Sequence, residues 1–89
     1  MRPYIKLHAD DNVVVALVDL APGDELEVDG QLVTVKTEIK RGHKLAISNI
    51  NEKQDIIKYG FAIGHATETI EVGMHVHTHN PVQLVINDF

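Results

Sequence analysis

"LAPGDELEVDGQLVTV", residues 20–35, is the stretch whose reading decides the fold. Pro22 and Gly23 place a turn across residues 21–24, and the apolar runs at 26–28 and 32–35 flank Asp29-Gly30. An Asp-Gly pair accepts positive φ at both positions, so it suits a tight type I′ hairpin turn. The spacing of the first half returns further along the chain. "LAPGDEL" (20–26), "INEKQDI" (50–56) and "IEVGMHV" (70–76) each carry an apolar residue, a turn residue three places on and a second apolar residue six places on. Gly23 and Gly73 hold the turn position, and Lys53 replaces glycine in the middle copy. The pattern describes a strand-turn-strand corner used three times, its apolar ends pinned in the core.

Working outward, β-branched residues come in short runs punctuated by Gly, Pro, Asp and Asn, which predicts further strands at 4–8, 44–48, 55–59, 61–66 and 75–79. "NVVVALVDL", residues 12–20, is a nearly continuous apolar run suited to a strand buried on both faces. Helix has little room. The expected class is all-β, a single domain over residues 1–89 built from short twisted strands and hairpins as a folded-over hairpin or small barrel.

At 89 residues the chain supports one core but not the two-lobed architecture with which most enzymes enclose a substrate. A complete active site on this chain alone is therefore not expected. Aromatic residues make up 4% of the sequence, so the core rests on Val, Ile, Leu and Ala. The formal net charge is −5, and no run of Lys or Arg exceeds Lys40-Arg41, which argues against a nucleic-acid surface. The absence of cysteine removes disulfides, thiolate metal sites and a Cys nucleophile, and fits a cytoplasmic address. The N-terminal "MRPYIKLHADD" has no apolar core of a signal peptide, and no run of about 18 apolar residues reads as a membrane span.

"GMHVHTHN", residues 73–80, puts histidine at every second position. On a strand His75, His77 and His79 share one face, while Val76 and Thr78 point the other way. Adjacent members stand roughly 6.5–7 Å apart at Cα, close enough for two imidazoles to reach one metal; the outer pair, roughly 13 Å apart, is too far for direct ligation of one ion on a flat strand. The same alternation is also that of a solvated strand face. Gly42-His43-Lys44 offers His43 as an acid or base and Lys44 as a carboxylate anchor, against a reading as two exposed polar tips. Lys58-Tyr59-Gly60 sets a cation and a phenol beside a turn; Lys58 is placed to face an anionic substrate or a partner subunit, and Tyr59 reads as half-buried core. Asp11 and Asn12 read as a local turn held by side-chain bonds to backbone, and His8 joins a ligand cluster only if folding brings it to His77 or His79.

"YIKLHADDNVVVAL" (4–17), "RGHKLAI" (41–47), "IIKYGFAIGHAT" (56–67) and "GMHVHTHN" (73–80), in this order and spacing, resemble the N-terminal SAF domain of the altronate dehydratase family over residues 4–80. The resemblance implies a β-clip fold and a much larger catalytic region, fused or on a separate subunit. It implies dehydration of D-altronate to 2-dehydro-3-deoxy-D-gluconate, assisted by a divalent metal such as iron or manganese. His77 and His79, with Asn80 as a substrate contact beside them, match the family motif most directly and are the preferred pair, for metal ligation, proton transfer or substrate contact. Related enzymes act on galactarate and on sulfolactate, the latter with a small separate subunit. "NEKQD" at the middle corner departs from the usual glycine, and the sequence after Asn80 soon stops, as in a small subunit or a piece of a longer chain.

Two functions from different classes follow. In the first the chain is the small subunit or N-terminal domain of a hydro-lyase, inactive when isolated. In the second it is a non-catalytic SAF-type module that binds a sugar acid or assembles with itself, since a small β domain has strand edges to cover.

Overall fold

A computed structural model describes residues 2–76. Eight short strands and no helix make up the described residues: β1 (Tyr4–Ile5), β2 (Val13–Ala16), β3 (Glu25–Val28), β4 (Gln31–Thr34), β5 (Lys44–Ala46), β6 (Asp55–Lys58), β7 (Phe61–His65) and β8 (His75–Val76). The all-β expectation holds. One antiparallel sheet runs in the order β1-β2-β5-β8, and β3–β4 and β6–β7 form separate hairpins. Asp29 and Gly30 both have positive φ, 52° and 82°, as a type I′ turn requires.

The central sheet is covered on both sides. In the register Val14 lies opposite Leu45, and Val13 lies opposite Ala46. Residues directly opposite share a face, and neighbours along a strand take opposite faces. Val14, Ala16 and Leu45 therefore pack with Leu26, Val28, Val33 and Val35 of the first hairpin. Val13, Ala46 and Val76 pack with Ile56, Ile63 and Ala66 of the second. This arrangement explains the continuous apolar run in β2, where each buried Val or Leu removed from water contributes about 1.5–3 kcal/mol. The run predicted at 12–20 nevertheless stops being strand after Ala16. The Leu17 amide still donates to the Pro3 carbonyl in register with β1, but Leu17 and Val18 are exposed, and Leu20 is buried again where it bridges Ile39.

The corner occurs four times, not three. "IKRGHKL", residues 39–45, has the same spacing, with Ile39 and Leu45 fully buried and Gly42 at φ 88°. The four corners fall into two equivalent halves. Leu20 and Ile39 exchange both backbone hydrogen bonds, as do Ile50 and Ile70. Gly23 donates to Val35 as Lys53 donates to Ala66, and Gly42 donates to Ala16 as Gly73 donates to Ala46. The side chains repeat too: Asp24 accepts from Ala21 N–H where Gln54 accepts from Asn51 N–H, and Asp19 accepts from Arg41 N–H where Asn49 accepts from Val72 N–H. A β-bulge makes the second hairpin one residue longer, because Ile56 pairs with Gly64 while Ile57 pairs with Ala62. The added residue, Ile63, is buried in the second core.

Lys53 is the one corner residue at positive φ, 72°, that is not glycine. An L-residue there costs about 1–2 kcal/mol, and glycine returns part of that as unfolded-chain entropy. Lys53→Gly is expected to raise stability by about 0.5–1 kcal/mol, read as a higher urea midpoint with unchanged slope.

Candidate functional site

The corner at residues 39–45 delivers His43 just before β5, and the corner at 70–76 delivers His75 at the start of β8. β5 and β8 are neighbours, with Leu45 opposite His75 and Lys44 opposite Val76. His43, Leu45 and His75 consequently project from the face that the first hairpin covers. There the His43 and His75 rings meet, Nδ1 of His43 lying 3.0 Å from Nε2 of His75 with ring centroids 5.0 Å apart. The His75 backbone N–H donates to Thr37 Oγ1, which fixes the start of β8 against the segment leaving the first hairpin.

A hydrogen bond between two imidazole nitrogens needs a proton on one and a lone pair on the other. One ring therefore donates and the other accepts, and the tautomer sets which.

Lys44 goes the other way. It lies opposite Val15 and Val76 on the face covered by the second hairpin, and it is half-buried rather than an exposed tip. Burial lowers its pKa below the ordinary lysine value, and the Lys58 ammonium lowers it further. Residues adjacent in sequence thus serve two faces: His43 stands with His75, and Lys44 with Lys58.

Two more sequence expectations need correction. Tyr59 is not half-buried core but 58% exposed, with Lys58 Nζ 5.7 Å from its ring centroid. Asp11 and Asn12 do not simply make a local turn. Asp11, only 4% exposed, accepts from the Tyr59 and Gly60 amides, while Asn12 accepts from Ile57 N–H and donates to the Asp55 carbonyl. His8 packs against Gly60, where an added Cβ would press on its ring. His77, His79 and Asn80 lie outside the described residues.

His75 belongs to the histidine row, but its pairing with His43 depends on the fourth corner. Aligning "IKRGHKL" with "IEVGMHV" is the sequence signal that places β5 and β8 at equivalent exits.

No group of three or more His, Cys, Asp or Glu side chains suited to a metal occurs among the described residues. The nitrogen separation of 3.0 Å in the histidine pair does fit two adjacent ligands of one ion, because bonds of about 2.1 Å at right angles put ligand atoms about 3 Å apart. Two nitrogens supply only part of a coordination sphere. Oxygen ligands from outside the described residues would have to complete it.

Residues 2–84 match the family described as the altronate/galactarate dehydratase SAF domain. The chain belongs to this family. It is 49% identical over 80 residues to the altronate dehydratase of Bacillus subtilis and 53% identical over 77 residues to that of Escherichia coli, matches covering 90% and 86% of the chain. The aligned part is 16% of each of those enzymes, so this SAF domain spans about one sixth of their length. It is also 39% identical over 84 residues to the (2R)-sulfolactate sulfo-lyase subunit alpha of Chromohalobacter salexigens, covering 86% of the chain and 89% of that subunit. No helix of the described residues is long and apolar enough to cross a membrane.

Proposed function

We propose that this SAF domain is the small subunit or N-terminal domain of an altronate dehydratase-like hydro-lyase, converting D-altronate to 2-dehydro-3-deoxy-D-gluconate with a large catalytic partner in the cytoplasm. The observation that carries the reading is the His43–His75 contact, which sets a proton-carrying pair on a domain at least 49% identical to parts of two altronate dehydratases.

The reaction removes the C2 proton beside the carboxylate and expels the C3 hydroxyl as water; the resulting enol becomes the 2-keto product. With Nδ1 of His43 protonated and donating to His75 Nε2, His43 Nε2 has a lone pair with which to take up a proton. The imidazolium so formed is stabilised by His75, the acceptor of its other N–H, and the extra proton returns to the departing hydroxyl. A divalent ion such as iron or manganese, when bound, supplies charge stabilisation for the enediolate. Lys44 holds the anion. At the start of β5 the two faces are one residue apart, so a six-carbon acid lying across the strand end touches both His43 and Lys44.

A second reading has its own support. The sulfo-lyase subunit alpha is a separate chain of nearly this size, which favours a free-standing small subunit and admits galactarate or sulfolactate as the substrate.

The test replaces the matching sixth of the Escherichia coli altronate dehydratase with the full chain. Dehydration of altronate is expected from the chimera and none from the isolated chain; turnover by the isolated chain, or an inactive chimera that is correctly folded, counts against the proposal. In the chimera Lys44→Met is expected to raise KM for altronate more than it lowers kcat, by about tenfold for a lost charge-assisted contact. Because burial holds the Lys44 pKa low, a bound carboxylate draws it back up. Altronate binding is therefore expected to take up protons between the lowered and the ordinary lysine pKa, as measured by calorimetry in two buffers.

A further inference from the structure

We infer that the tip of the β6–β7 hairpin is the surface by which this domain holds the large catalytic unit, with Tyr59 and Phe61 entering an apolar recess rimmed by acidic groups that meet Lys58. This rests on the proposed dehydratase reading.

The two equivalent hairpins differ most at their tips. The first turns through Asp29-Gly30 into Gln31, polar or glycine throughout. The second turns through Tyr59-Gly60 into Phe61, with Tyr59 58% and Phe61 70% exposed. The sequence holds only two Tyr and two Phe, so half of them stand together on one exposed tip. Tyr59 sits at φ 58°, a costly conformation for an aromatic residue. The buried Asp11 carboxylate holds it there through the Tyr59 and Gly60 amides at 3.1 and 2.8 Å, and Asn12 braces β6 below at Ile57 and Asp55. The first hairpin turn has no such buried carboxylate among its described contacts.

Rigid aromatic side chains presented in advance lose little entropy on docking and are the usual anchors of interfaces. Two observations select the occupant. The same domain is about one sixth of the altronate dehydratases and nearly all of a separate sulfo-lyase subunit, so it must hold its partner by a surface of its own rather than by a linker. A symmetric contact between two copies through this tip would instead bring the Lys58 ammonium groups of both copies together.

Hydroxyl-radical footprinting of the free chain and of the chimera tests the inference, with exposed Leu32 of the first hairpin as internal reference. Labelling of Tyr59 and Phe61 is expected to fall several-fold in the chimera while Leu32 is unchanged. Tyr59→Asn/Phe61→Thr, in which asparagine tolerates the positive φ and threonine suits a strand, is expected to restore labelling of Lys58 and His8 in the chimera to the level of the free chain. Equal labelling of the tip in an active chimera overturns the inference and leaves the dehydratase reading standing. Protection of the tip in an inactive chimera sustains the docking surface and sinks the dehydratase reading. Protection in the free chain that grows with concentration, in step with dimer formation, overturns the inference in favour of self-association.

Discussion

Gly73→Ala is expected to destabilise the domain by about 3 kcal/mol or more, enough to unfold a chain of this size under mild conditions. Gly73 is buried at φ 91°, and a Cβ there would overlap the carbonyl oxygen of Thr34 at the end of β4. The obstacle is backbone, and it has no room to yield. The Lys36 amide donates to the Gly73 carbonyl at 2.8 Å, and the Gly73 amide donates to Ala46 at 2.9 Å. Separating Gly73 from Thr34 therefore also disturbs the bonds that seat the last corner on β5 and on the segment after β4. Gly42 is the matched control: it has nearly the same φ, 88°, but nothing lies within 4 Å of the position a methyl group would take. Gly42→Ala is expected to cost only the positive-φ strain, roughly 1 kcal/mol. Urea unfolding followed by circular dichroism compares the two; equal midpoints would show that conformation alone, and not the contact with Thr34, makes Gly73 necessary.

His43→Ala in the active chimera is expected to lower kcat by about 10²–10⁴, the usual worth of a positioned general acid or base. His75 acts through His43, so it is a positioning residue and its loss should show differently. His75→Ala is expected to lower kcat by a smaller factor with KM unchanged, and His75→Gln is expected to recover part of the loss. The role is that of a hydrogen-bond acceptor, so a glutamine whose amide oxygen can take its place keeps part of it. The double variant should be little worse than His43→Ala alone, since the two rings function as a unit. Independent, multiplicative losses with no recovery in His75→Gln would overturn the relay.

Much of the fold is legible in the sequence because its signals are local. The Asp29-Gly30 turn, the alternating runs and the glycine corners each depend on φ preferences and on a period of two, which a few neighbouring residues settle. The fourth corner obeys the same spacing as the other three. Gly42-His43-Lys44 masks it by also resembling a chemical motif, although the buried ends Ile39 and Leu45 carry the pattern.

The site is less legible because it depends on pairing between distant strands. Family resemblance points to the histidine row, and alternation correctly sets His75 and Val76 on opposite faces, but neither states which strand lies beside β8. Only the register brings His75 to His43 and sends the adjacent Lys44 through the sheet to Lys58. Asp11 likewise reads as a local turn because Asp-Asn pairs usually bond nearby backbone, whereas folding places the amides of Tyr59 and Gly60 within its reach. By itself the sequence determined an all-β domain of repeated corners, since composition, period and turn chemistry act within a few residues, while its resemblance to a known family supplied the SAF assignment. The tertiary structure decided which charged and aromatic groups share a face, because contacts across the sheet follow strand order and register, and these are set by how the two hairpins close over opposite sides of β2 and β5.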